Sequence, residues 1–341
     1  MGSRPPPGQQ DDLPGPDPAE RRQVRIQEDR RPADRRVLRV RLVTKLIQTI
    51  IIGLEYGCVY SLIAMGMVLV YRTTGVLNIA HGGIGVLAGF VAWDLDTLRG
   101  WPYYPAILVG VLVAVTAGLL FERFVVRKLA SPALATVATL ALFLLLQGLV
   151  FVVPWWGNTW GQVFNSPFHD KKVGIPGADY SVSWDQLILF GSVLLFFAGL
   201  YFVLRRTRVG LAMRAVSDDP TAARLMGIRQ KLVAPVVWGL AFGISGVTTM
   251  LLAPILLLDN TSLTAFTLKA LTVTFVGGLI SLPLTVLGAV ALSMLEVSTQ
   301  LYLPNTRGLS DAWPFIILIV VLVARFARGT KALEDTAVAP A

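Results

Sequence analysis

The feature that most constrains this chain is a succession of long apolar stretches with few or no charges. They run from Leu46 to Val70, Thr73 to Leu95, Tyr104 to Phe121, Ala133 to Val153, Gln186 to Leu204, Leu232 to Leu258, Ala270 to Leu295 and Leu309 to Ala327. At a rise of about 1.5 Å per residue, such stretches match a hydrocarbon layer roughly 30 Å thick. Only 15% of the residues are charged and 54% are hydrophobic, whereas soluble domains average about 25% charged. In lipid, each backbone polar group must find a partner within the chain, which leaves helices as the economical solution. The expected fold class is therefore an all-α polytopic membrane protein with about eight transmembrane segments.

The net charge of +9 comes from Lys and Arg gathered in a tail and in short loops. That is the pattern of the positive-inside rule and not of a nucleic-acid binder. The tail, residues 1–44, is basic and Pro-rich at its start, with too little apolar surface to offset chain entropy; a disordered cytoplasmic tail is expected. It carries no apolar core segment of a cleavable signal, so the first spanning helix is expected to act as the targeting signal. The transmembrane domain is placed at 45–330, and residues 331–341 form a cytoplasmic C-terminal tail. Trp155, Trp156, Trp160 and Trp184 flank a polar loop at 154–185 as an interfacial belt. Cys58 has no partner for a disulfide, and no Cys/His cluster offers a metal site. No Walker A sequence, nucleophile elbow or zinc-protease motif is present, so no catalytic residue is assigned and no cofactor is expected on this chain. Any energy source would be an ion gradient or a separate ATPase.

Two stretches depart from plain membrane helix. The first is Asn78-Ile79-Ala80-His81-Gly82-Gly83, inside a segment uncharged from Thr73 to Trp93 that also holds Gly75, Gly85 and Gly89. Unwound backbone at membrane depth is tolerated only where it is buried in protein or lines a cavity. Asn78 could cap a helix starting near Gly82, whose free N–H groups favour a carboxylate. Alternatively, Asn78 and His81 satisfy a structural kink. The basic tail, Arg123 to Lys128, residues 205–231 and the C-terminus are all expected on one face. Three apolar segments lie between the tail and Arg123, so one of them should fail to cross, and the second, as a re-entrant or broken helix, is the best candidate. The other interruption, Gly277-Gly278 followed by Ser281-Leu282-Pro283, lies in the second half of the chain. Paired interruptions of this kind point to a midplane path in transporters. Glu55, a carboxylate within the first segment, is open to two readings, a functional group or a packed and neutral one.

Residues 205–231 hold seven Lys or Arg against Asp218 and Asp219. Ser217-Asp218-Asp219-Pro220 supplies capping side chains and a proline suited to a first helical position, and Gly227 suits the position just past a helix end. The spacing predicts a helix of about two turns. Ala222 and Ala223 would let it dock closely in a partner's groove, or it could lie on the membrane.

These motifs resemble a known family. Gly53-x-x-x-Gly57 with Tyr60, then Tyr71 and Asn78-Ile79-Ala80-His81-Gly82, is similar to the start of permease subunits of ABC importers for branched-chain amino acids, the LivH type. Leu211 to Val216, Asp219, Ala222, Ala223 and Leu225-Met226-Gly227-Ile228 are similar to that family's coupling loop, and Lys269-Ala270, Gly277-Gly278 and Glu296 also fall in place. The resemblance covers about 46–330. It implies an ABC importer permease fold in the inner membrane, with both termini cytoplasmic. The implied partners are a second homologous permease, two cytoplasmic ATPase subunits that use the ATP, an extracytoplasmic substrate-binding protein and membrane lipid. By position, it puts Asn78, His81, Gly82, Gly277 and Gly278 near the substrate path, and Arg214, Asp219, Ala222, Ala223 and Gly227 at the ATPase. Relatives carrying urea or short amides keep those substrates open. An ion-coupled secondary transporter using Glu55 and Lys269, or a membrane enzyme, are the readings outside the family.

Overall fold

A computed structural model describes residues 18–156, 161–175, 180–228 and 230–337. The helices are α1 (Pro18–Thr74), α2 (His81–Trp93, running into a π-helical turn at Asp94–Leu98), α3 (Tyr103–Phe124), α4 (Pro132–Val152), α5 (Trp184–Arg206), α6 (Arg208–Asp218), α7 (Pro220–Leu225), α8 (Gln230–Leu252), α9 (Asn260–Val276), α10 (Leu282–Tyr302) and α11 (Arg307–Ala337). A short antiparallel hairpin, β1 (Lys172–Gly174) with β2 (Ser181–Ser183), lies in the loop before α5. Many starts follow local capping chemistry. The Ser131 hydroxyl accepts from Leu134 N–H ahead of Pro132, and Ser183 and Gln186 form a reciprocal capping box. Asp259 caps α9 and Ser281 caps α10.

Seven helices among the described residues are long and apolar enough to cross a membrane. Shorter α2 and α9 complete the bundle. The Ala270–Leu295 stretch, read as one segment, is the end of α9, a turn and most of α10. The helices differ in burial. The spanning parts of α1 and α8 are 72% buried inside the protein, those of α3, α4 and α5 only 22%. From Gly57 to Val70 each residue of α1 is buried. So α1 and α8 form the core, while α3, α4, α5 and α11 present apolar faces outward.

Contacts set the direction of each helix. Gly75, at the end of α1, lies against Pro132 at the start of α4. Glu55, in the first half of α1, meets Gln186 at the start of α5. Gly118 of α3 lies on Trp238 and Phe242, and Gly110 on Met250, so α3 is antiparallel to α8. The end of the bundle that holds the α3–α4 turn therefore also holds α6, α7 and the last turns of α11. We call it the loop end. By the same contacts α1 enters from the far end.

This corrects the charge-counting expectation. The tail and the C-terminus do not share a face, and the second segment is broken without failing to cross. Residues 75–98 leave the loop end as unwound chain and reach the far end as α2. The charge rule compares loops, and it misled here because it was applied to a long tail. Residues 18–44 of that tail continue α1 upstream as helix, where composition predicts disorder; residues 1–17 lie outside those described. Likewise α11 runs to Ala337, past the expected boundary at 331, and residues 338–341 are not described.

Candidate functional site

The break between α1 and α2 begins at Gly75, whose φ of 71° is left-handed and whose N–H closes on Tyr71 O at 2.7 Å. The unwound backbone beyond it is held by α4. Thr136 accepts from Leu77 N–H and Thr139 from Ile79 N–H, each at 3.1 Å. These two threonines were missed from sequence; in an apolar helix, Thr spaced at three residues is an ordinary packing pattern. Asn78 and His81 are fully buried. Asn78 does not cap α2: Ala80 occupies the N-cap with no side-chain cap hydrogen bond. Both polar atoms of the Asn78 amide and both ring nitrogens of His81 have no hydrogen-bond partner, while the His81 carbonyl accepts from the Ser245 hydroxyl. Unpartnered buried polar atoms are rare, and each costs roughly 1–3 kcal/mol.

Glycine makes this packing possible. The His81 ring fills the space over Gly66, where a Cβ would overlap it. A Cβ at Gly82 would overlap Thr267 of α9, and one at Gly85 would overlap Thr249 of α8. Close approach through small residues is how membrane helices gain packing without a hydrophobic drive between them.

The second break is of another kind. Leu279 N–H bonds Thr274 O at 2.9 Å and Gly278 N–H bonds Phe275 O at 3.0 Å, which is a Schellman end to α9. Gly278 has φ 76° and Leu279 φ 65°. Gly277 sits against Thr285, and Gly278 under the Arg325 guanidinium. No side chain of this corner is left with an unpartnered buried polar atom among the described residues.

Two further polar groups sit toward the far end. Glu55 accepts from Gln186 Nε2 at 2.7 Å, and the same Gln186 takes Ser183 N–H on its Oε1. Glu55 thus ties α1 to the cap of α5. Buried Glu296 accepts from Tyr60 O–H at 2.7 Å and from Lys269 Nζ at 3.4 Å; Lys269 also reaches Asp311 at 3.4 Å.

At the loop end, Asp219 Oδ1 accepts from Ala222 N–H at 3.0 Å and Gly227 has φ 82°, as the capping pattern predicts. The exposed face of α7 differs from the expected one. Ala223 is buried against the chain's own body, Ala222 is exposed, and Leu225 and Met226 project, 85% and 82% exposed. Arg214 lies half-buried on α6. The site residues thus form two groups on different levels: Asn78, His81 and Gly82 in the core, with Gly277 and Gly278 toward the loop end of the membrane part, and Asp219 to Gly227 outside it.

The family described as branched-chain amino acid transport system / permease component matches this chain over residues 49–322. The chain belongs to this family. Among curated relatives, the probable branched-chain amino acid transport permease protein LivH of Methanocaldococcus jannaschii is 28% identical, with 80% of this chain and 88% of the relative covered. The high-affinity branched-chain amino acid transport system permease protein LivH of Escherichia coli K12 is 26% identical, covering 81% and 92%. A solved metal-chelate type ABC transporter in an inward-facing conformation aligns at 17% identity and a TM-score of 0.49, covering 81% of this chain and 85% of its own. The matched segment of this permease includes both breaks, α6, α7 and the Glu296 network; it leaves out the helical upstream part of α1. The permease is a multi-pass membrane protein.

Proposed function

We propose that this permease is the membrane-spanning subunit of an ATP-driven importer for branched-chain amino acids. In this reading it works in the cytoplasmic membrane beside a second homologous permease. Two ATPase subunits hydrolyse the ATP on the loop side, and an extracytoplasmic binding protein delivers substrate at the far end. The chain binds no cofactor of its own. The observation that carries the reading is the capped α6–α7 unit with Leu225 and Met226 projecting from it. Exposed apolar side chains beyond the end of the bundle, on a basic loop, are what a docking contact with a soluble subunit requires. The names of the relatives carry the substrate class.

The mechanism is alternating access. The ATPase dimer would push α6 and α7, which are joined directly to α5 and lie next to α8. Asn78, His81 and Gly82 then form the element that rearranges beside the substrate route, and the Gly277–Gly278 corner holds α9 and α10 rigid next to it. Four unpartnered polar atoms in one buried stretch support this choice, since a second state can supply what this one lacks. The ion-coupled alternative is disfavoured by the family match, and Glu55 is tied to the cap of α5.

The basic residues of the connecting loops support a cytoplasmic loop end, and with it a cytoplasmic C-terminus. The N-terminal tail is then extracytoplasmic. In a Cys58→Ser background, Arg30→Cys should react with a membrane-impermeant maleimide on intact cells, and Met226→Cys only after permeabilisation. The opposite pattern would refute the orientation. For the function, Leu225→Asp should abolish co-purification of the ATPase and uptake of radiolabelled L-leucine by the complete importer. Retention of both sinks the coupling claim, and uptake of urea in place of leucine by the wild type would reassign the substrate.

A further inference from the structure

The Glu296 network is not explained by packing alone. Two carboxylates, Glu296 and Asp311, face one ammonium, Lys269. The contacts of Lys269 are 3.4 Å to each partner, long against the roughly 2.7–2.9 Å of a tight charge-assisted pair. Its ammonium is shared loosely and not committed. Glu296 is 1% exposed, and its Oε1 has no hydrogen-bond partner while Oε2 serves both Tyr60 and Lys269. A fully buried carboxylate oxygen left open is an acceptor awaiting a donor.

The surroundings are those of an apolar ligand with charged ends. Tyr56, Tyr60 and Phe266 form an aromatic wall with ring centroids 5.6–6.4 Å apart. Phe266 lies one helical turn before Lys269 on α9 and also walls a pocket lined by Leu252, Leu258 and Leu263. Counting helix rise, Lys269 and Glu296 lie roughly 9–14 Å in from the far ends of α9 and α10. That is the half of the bundle facing the delivery side. Charges at such depth are costly and mark functional sites by default.

We propose that this cluster recognises an α-amino acid zwitterion during its passage. The ammonium group donates to Glu296 Oε1, the carboxylate takes over Lys269, and the aliphatic side chain lies on the aromatic wall. The assignment rests on the importer reading above.

The test uses the complete importer in proteoliposomes, with binding protein and radiolabelled L-leucine. Glu296→Gln keeps size and the Tyr60 hydrogen bond but removes the charge that pairs with the ammonium. It should assemble with its partner subunits in wild-type yield, lower the maximal uptake rate at least tenfold, and raise the ATP hydrolysed per leucine. The exchange Lys269→Glu with Glu296→Lys rebuilds an ion pair of opposite polarity and should stay inactive. Uptake by Glu296→Gln within twofold of wild type overturns the proposal. So does recovery of uptake in the exchange, which would make the pair purely structural. If Glu296→Gln does not assemble, Asp311→Asn carries the test: it removes the exposed carboxylate that competes with the substrate for Lys269 and should lower the leucine concentration giving half-maximal uptake, and unchanged uptake with unchanged leucine affinity would then overturn the proposal. A wild-type complex that takes up no leucine refutes the importer reading itself, which separates the two failures.

Discussion

The two breaks in this bundle look alike in sequence and differ in physics. Each follows a helix ended by a left-handed glycine, Gly75 and Gly278. At Gly278 the chain makes a hydrogen-bonded corner and starts the next helix within four residues. Between Gly75 and His81 it stays unwound, borrows two threonines from α4, and leaves an amide and an imidazole without partners. A satisfied corner has little to gain from moving. A stretch with four orphan atoms does, because any state that pairs them recovers free energy. The lesson is that an interruption in a membrane helix is not by itself evidence of mobility; the hydrogen-bond account of the interrupted backbone is.

The strongest way to break this comparison is to fill the space on which the first break depends. Gly82→Val should yield no monodisperse protein after solubilisation, because its branches would occupy the Thr267 side chain's position. Normal yield would mean that α2 is not packed as described. Next comes Asn78→Leu. Removing an unpartnered buried amide should raise the thermal midpoint, by a stability gain of about 1–3 kcal/mol, and still lower leucine uptake at least tenfold. A variant both more stable and fully active would reduce the break to a kink. Thr139→Val leaves Ile79 N–H without its acceptor and should lower stability by about 1–3 kcal/mol, read from the same thermal transition. The smallest effect is expected at the corner. Gly278→Ala puts a Cβ at positive φ against the movable tip of Arg325, costing about 1–2 kcal/mol, with uptake within threefold of wild type. A tenfold loss there would show that the second break moves as well.

Local chemistry was largely legible. Ser131-Pro132, Ser183 with Gln186, and Ser281 ahead of Pro283 mark helix starts that the structure places within a few residues of the apolar limits. Gly227 ends α7 at the expected conformation. The length of the sixth stretch was overestimated, since α8 stops at Leu252 while apolar residues continue to Leu258 in the turn that pairs with Gln162. Which small residue of α7 faces outward was not legible, because small residues suit burial against the chain's own body as well as against a partner; the structure buries Ala223 and exposes Ala222. The partners of the first break were illegible: Gly66, Thr136 and Thr139 come from two other helices, and no spacing along the chain brings them to Leu77, Ile79 and His81.

By itself, then, the sequence determined that this is a helical membrane protein, where most of its helices begin, and that something unusual happens between Gly75 and Gly83. Those follow from hydropathy, capping groups and the conformational freedom of glycine, all properties of neighbouring residues. Tertiary structure decided the direction of α1 and with it the face on which the tail emerges. It also decided which break is satisfied and which is left open, and the meeting of Tyr60, Lys269, Glu296 and Asp311 from four helices. The physical reason is range: charge and hydropathy act on each segment separately, whereas direction and hydrogen-bond satisfaction depend on which segments pack together.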